Sequence, residues 1–185
     1  GDLDEDGKPE LLVATLDGSL SIFRNQVRIQ PNIVWNASPS LTYGQAVTAD
    51  HYDVSVSPFV AGSFLFTPPV GAFPDAGAEK SLSVTFVPAD FVSFVTVTTN
   101  RSTSVSPAPL TITPNPAAKV FGAPLPPLAA TFATFVNGDT PADLDTPVSI
   151  STAANQFSDV GVYDITVSGA SDPNYNITHG PAANL

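Results

Sequence analysis

The stretch KSLSVTFV, residues 80–87, decides the fold. Leu82, Val84 and Phe86 alternate with Ser81, Ser83 and Thr85. Side chains of an extended strand project alternately to opposite faces, so a period of two predicts one dry face and one wet face. The reading extends outward in both directions. Upstream, GSFLFT at 62–67 places Phe64 and Phe66 on one face, and IVW at 33–35 and SLTY at 40–43 are further strands. Downstream, strands are expected at FVTVTT (94–99), LTIT (110–113), KVFG (119–122), LAATF (128–132), PVSIS (147–151), VYDITVS (162–168) and YNIT (175–178). In VYDITVS, Tyr163, Ile165 and Val167 share a face. Pro68-Pro69, Gly71, Pro74-Asp75 and Pro88-Ala89-Asp90 punctuate the strands as turns.

Composition agrees with an all-β chain. The 19 Pro and 12 Gly in 185 residues interrupt any long helix. Charged residues are 12%, about half the ~25% of an average soluble domain, and the 43% hydrophobic content is enough to bury a core. Val and Thr, abundant here, suit a pleated and half-buried surface because branching at Cβ stiffens χ1. At ~100 residues per sandwich, the length allows two small domains. The net charge of −11 repels nucleic-acid phosphates and anionic lipid and attracts cations. With no Cys, disulfides, thiol nucleophiles and zinc–thiolate sites are excluded. No apolar run approaches ~18 residues, so no membrane insertion is expected. The polar start GDLDEDGKPE is not a signal peptide, and a secreted chain is expected to have lost one or to carry it further upstream.

Three segments follow. Residues 1–26 read as an acidic loop and a β-hairpin: an apolar strand from Leu11 to Leu16, the turn Asp17-Gly18, and a strand with Leu20 and Ile22. Asp-Gly between apolar runs is a strong hairpin signal because both residues tolerate positive φ. Residues 27–107 and 108–185 are read as two tandem β-sandwich modules. SPAPLTITPNP, with four prolines, is expected to be the linker and the first edge strand of the second module. The modules echo each other. TYGQAV and VFGAPL are aromatic-glycine corners, and VPADFVSFVTV and SGASDPNYNIT place Phe94 and Tyr175 after Asp-containing loops. Tandem similar modules are the organisation of an array protein.

The stretches LTITPNPAAKVFGAPLPPL, FVNGDTPADL and VGVYDITVSGASDPNYNIT resemble the MBG-type bacterial immunoglobulin-like repeat across nearly all of residues 110–180. LTYGQAV, GSFLFTPPVG and SLSVTFVPAD resemble a related bacterial Ig-like repeat. These resemblances imply a spacer, adhesion or scaffold role in a large secreted or surface-anchored protein, without catalysis. They also imply a closing strand of the form G-x-L-x-V, and GPAANL stops at Leu185 just where that strand should start, so the module at 108–185 is expected to lack its last strand. The N-terminal segment resembles the second half of an FG-GAP repeat, with its acidic calcium loop followed by a hairpin.

That loop is the constellation with chemistry in it. Calcium takes six to eight oxygens, which carboxylates at alternate positions of a tight loop supply. Asp2, Asp4 and Asp6 would coordinate by side chain, Lys8 by its carbonyl and Glu10 by its carboxylate, with Gly7 permitting the turn. The bland reading is a solvated acidic start. Asp139 and Asp143 in NGDTPADLD are a second cation pair or, more simply, turn-forming aspartates. His51, between Asp50 and Asp53, lacks a cysteine or a nucleophile-elbow serine to activate and reads as a loop residue; His179 reads as a turn. Asn36, Asn100 and Asn176 begin N-x-S/T sequons. Trp35 and the phenylalanines mark either a glycan site or the core.

The expectation is a non-enzymatic extracellular or cell-surface structural module of a bacterial protein, with calcium as its ion. Its partners are itself or neighbouring repeats, with a surface glycan as a further candidate. Two finer readings stand beside each other. In one, the hairpin donates a strand to the open edge of the next subunit and builds a calcium-stabilised filament. In the other, the chain is a carbohydrate-binding or adhesive module of a large adhesin.

Overall fold

The structure is a computed structural model that describes residues 9–23, 28–36 and 40–185. The chain is all-β, and no helix among the described residues reaches seven residues. Its strands are β1 (Leu11–Ala14), β2 (Leu20–Phe23), β3 (Asn32–Trp35), β4 (Leu41–Thr42), β5 (Val54–Ser57), β6 (Gly62–Thr67), β7 (Gly77–Pro88) and β8 (Val97–Ser106). There follow β9 (Ala108–Pro114), β10 (Ala130–Ala133), β11 (Ser149–Thr152), β12 (Asp164–Ser168), β13 (Tyr175–His179) and β14 (Ala183–Asn184). They form the sheets β1-β2, β3-β5, β4-β8-β7-β6, β10-β9-β13 and β11-β12-β14.

The described chain divides into two compact units. One holds the described residues up to 36 with Tyr52–Thr67 and Leu82–Arg101. Its core is the dry face that the period-two pattern foretold: Leu82, Val84 and Phe86 of β7 are buried together with Ile33, Tyr52 and Val60. Phe64 and Phe66 do share a face of β6, and their rings lie 6.2 Å apart and nearly parallel. The hairpin β1–β2 has the expected Asp17-Gly18 turn, with Gly18 at φ +85. Both of its faces are exposed, Leu11, Leu12 and Val13 on β1 and Leu20, Ile22 and Phe23 on β2.

The other unit holds residues 40–51, Pro68–Ser81 and Ser102–Leu185. Here β9 and β12 approach each other, so the sheets β10-β9-β13 and β11-β12-β14 share a core of Leu110, Ile112, Ile165, Val167 and Tyr175. Ile165 and Val167 face inward as their spacing requires, while Asp164, Thr166 and Ser168 are exposed.

Three expectations change. The strand at LTIT is central, not an edge: β9 pairs antiparallel with β10 and parallel with β13. Its prolines, Pro109 and Pro114, lie near the two ends, where a missing N–H costs the ladder little, and burial of Ala108, Leu110 and Ile112 holds the strand inside. KVFG is not a strand. Gly122 takes φ +81 and turns the chain, and the Lys119 ammonium bonds the carbonyl of Gln156 at 3.3 Å. Finally, β5 was not foreseen, because Pro58 and the short run VSVS conceal a four-residue strand that pairs with β3. At the far end, GPAANL forms β14, which pairs antiparallel with β12, and Leu185 exchanges backbone bonds with Tyr163.

Candidate functional site

Of the expected calcium ligands, Asp2, Asp4, Asp6 and Lys8, with Gly7, lie outside the described residues. Glu10 is described; it is buried at the foot of the hairpin. Among the described residues, no three His, Asp or Glu side chains converge as a metal cluster.

The other acidic loop residues divide by what they bind. Asp143 makes a capping box with Thr140, whose N–H and hydroxyl both donate to its Oδ2 at 2.8 Å. These bonds hold the Asp143 carboxyl below its usual range. The simpler, turn-forming reading therefore describes Asp143. Asp90 accepts from the N–H groups of Val92 and Ser93, and Asp172 from that of Asn174. Asp17 accepts from the Thr15 hydroxyl and from the Ser19 N–H, and these bonds lower its carboxyl to about 2. Such bonds are the ordinary work of aspartate in turns.

Asp139 does something else, and the sequence did not reveal it. Tyr43 donates its hydroxyl to Asp139 Oδ2 at 2.9 Å, and Tyr175 donates to the same oxygen at 2.7 Å. Tyr43 lies 96 positions from Asp139 along the chain. The two phenol rings meet edge to face at 5.5 Å, and Phe135 makes a second edge-to-face contact with Tyr175 at 5.4 Å. The Val136 N–H donates to the Tyr175 hydroxyl at 3.1 Å. Both tyrosines are buried. Burial pushes the Tyr175 phenol well above its ordinary range, and the Asp139 carboxylate adds to the rise. At Tyr43 a hydrogen bond from Asn137 pulls downward, but desolvation and Asp139 leave the phenol raised. Both groups therefore stay protonated donors at neutral pH, and the carboxylate is their shared acceptor.

Local backbone makes this meeting close. Gly44 has φ +88, and a Cβ built there would stand 2.6 Å from Val136 Cβ. Only glycine leaves room for the valine. Asn137, at φ 57, and Gly138, at φ +81, turn the loop so that Val136 and Asp139 point to the same corner. The individual signals, an aromatic-glycine corner at Tyr43-Gly44 and an aromatic after an Asp loop at Tyr175, were legible; their convergence was not.

The remaining candidates have structural partners. The His51 ring accepts the Thr48 N–H through Nδ1 at 2.9 Å within a 3-10 turn. His179 ends strand β13 and is not itself a turn residue. Trp35 tilts against Tyr52 at 6.1 Å, Tyr52 stacks on Phe66 at 4.3 Å, and Phe64 meets Phe86 at 5.1 Å. These rings build the core of their unit, as period-two strands imply. Asn36, Asn100 and Asn176 are all exposed. No helix among the described residues is long and apolar enough to cross a membrane.

No curated protein and no solved structure matches the chain. Residues 110–183 match the family described as MBG domain (YGX type), so this stretch is similar to an MBG-type repeat, a module typical of bacterial extracellular proteins.

Proposed function

We propose that the chain is a non-enzymatic structural module of a bacterial surface or secreted protein, in which residues 27–107 and 108–185 are tandem Ig-like units. The match of residues 110–183 to a repeat type typical of extracellular proteins carries this reading. The use of Asp139, Asp143 and His51 in structural hydrogen bonds supports it. Brief proteolysis of intact source cells tests it: peptides of this chain are expected in the released fraction. Recovery only from the cytoplasmic fraction would overturn it.

Within that reading, calcium held by Asp2, Asp4, Asp6, the Lys8 carbonyl and Glu10 orders the start of the hairpin. Calorimetry is expected to show calcium uptake that is lost in an Asp4→Ala, Asp6→Ala variant; equal uptake in both chains rejects the loop as the site. The hairpin is also the candidate donor for strand exchange between subunits, since a two-stranded hairpin exposed on both faces gains from addition to a sheet edge. Removal of residues 1–25 should abolish any filaments seen by electron microscopy.

One observation favours a glycan-binding reading. A groove of about 490 Å³ lies in the first unit, lined by Val54, Val56, Phe59, Ala61, Phe64 and Phe86, and Phe59 stands almost fully exposed at it. Exposed rings are the usual platform for sugar faces. Saturable retention on a glycan array, lost on Phe59→Ala, would establish this reading; no retention removes it.

A further inference from the structure

Two loops of this chain occur twice. Thr42-Tyr43-Gly44 returns as Val120-Phe121-Gly122, and Phe73-Pro74-Asp75-Ala76-Gly77 returns as Phe157-Ser158-Asp159-Val160-Gly161. The corner glycines adopt the same conformation, φ +88 at Gly44 and +81 at Gly122. The first pair of loops is occupied by residues of the same compact unit, the one that holds residues 40–51, Pro68–Ser81 and Ser102–Leu185. Val136 fills the space above Gly44, and the Ala76 N–H donates to Asn174 Oδ1 at 2.8 Å, beside Tyr175. The second pair is open. Nothing lies within 4 Å of a Cβ built on Gly122, Phe121 is 62% exposed, and Val160, the counterpart of Ala76, is 94% exposed. Val120 and Phe157 are exposed with them. A cavity of about 240 Å³ sits among these residues, lined by Lys119, Phe121, Ala154, Val160, Gly161 and Tyr163. A cluster of exposed apolar side chains this dense marks an interaction surface.

We propose that the Phe121-Gly122 corner and the Phe157–Gly161 loop form the seat for a following module of the same type. That module would present a valine like Val136 over Gly122 and an asparagine–tyrosine pair like Asn174–Tyr175 to the loop. The occupied corner at Tyr43-Gly44 is the observation that says what covers the open one. A second copy of this chain is not the occupant, because its own Val136 is already seated on its own Gly44. The seat differs from the occupied one in a defined way. Phe121 has no hydroxyl, so an incoming aspartate would keep only the bond from its own tyrosine. Lys119, at the position of Leu41, places a cation at the rim to meet that carboxylate. This inference deepens the structural-module reading and rests on it.

The test extends the full chain, repeating residues 108–185 once after Leu185 as a segmentally 15N-labelled copy whose peptides are told apart by mass; the added copy carries the valine loop but not the Tyr43-Gly44 corner that receives it. Hydroxyl-radical footprinting read by mass spectrometry is the measurement. Oxidation of Phe121 is expected to fall several-fold in the extended chain, from the level of a 62% exposed ring towards that of Tyr43 at 7%. Phe59 and Phe91 serve as unaffected controls. Val136→Lys in the added copy alone should restore the oxidation. Unchanged oxidation of Phe121, or protection that survives Val136→Lys, overturns the seat. So does an added copy whose own peptides oxidise as unfolded, since the seat is what supplies its missing corner. Surface proteolysis judges the structural-module reading separately, so either can fail alone.

Discussion

Gly44 and Gly122 are the same residue in the same backbone conformation, and the difference between them is what stands opposite. In the 185-residue chain, Gly122→Ala meets open space and carries only the strain of a side chain at positive φ, about 1 kcal/mol. Gly44→Ala adds a collision with Val136, for a total cost of roughly 2–4 kcal/mol. Thermal unfolding compares the two, and Gly44→Ala is expected to lower Tm by roughly 5–10 °C, clearly more than Gly122→Ala. Equal shifts would mean that Val136 does not occupy the corner. The neighbouring Asp139 is the shared acceptor of two buried phenols. Asp139→Ala leaves both hydroxyls without it and should cost about 1–3 kcal/mol, measurable by urea titration.

Strands β9 and β2 carry isoleucines in opposite situations. Ile112 of β9 is fully buried between β10 and β13, while Ile22 of β2 is exposed on the hairpin. Ile112→Ala is expected to cost ~2–5 kcal/mol, because burial and the residual cavity both count. Ile22→Ala should change stability by less than about 0.5 kcal/mol in the same urea titration. A large effect at Ile22 would place the hairpin inside a core. The contrast follows from pairing. A strand bonded on both sides and covered on one face has no route to relax, and a two-stranded hairpin has open edges and open faces.

The tyrosines also set how the molecule responds to pH. Tyr43 and Tyr175 have phenols raised above the ordinary value of 10 in the folded chain, so their contribution to stability is complete below pH 10. Above that value the unfolded state releases protons that the folded state retains, and stability falls as pH rises. Melting temperature measured from pH 8 upward should decline beyond pH 10, and the decline should be shallower in a Tyr43→Phe, Tyr175→Phe double variant. Equal slopes would show that these phenols titrate alike in both states.

The strands, turns and inward faces of this chain were legible in its sequence because local backbone geometry imposes them. Leu82, Val84 and Phe86 had to share a face once the segment was extended, and Asp17-Gly18 had to turn. The MBG-type character of residues 110–183 was legible for a related reason, since its motifs are continuous stretches. The central place of β9, the partner of β5, and the meeting of Tyr43 with Asp139 and Tyr175 were decided only by tertiary structure. A hydrogen bond across 96 positions leaves no periodicity in the chain. An aromatic-glycine corner reads the same whether a valine fills it, as at Gly44, or open space does, as at Gly122.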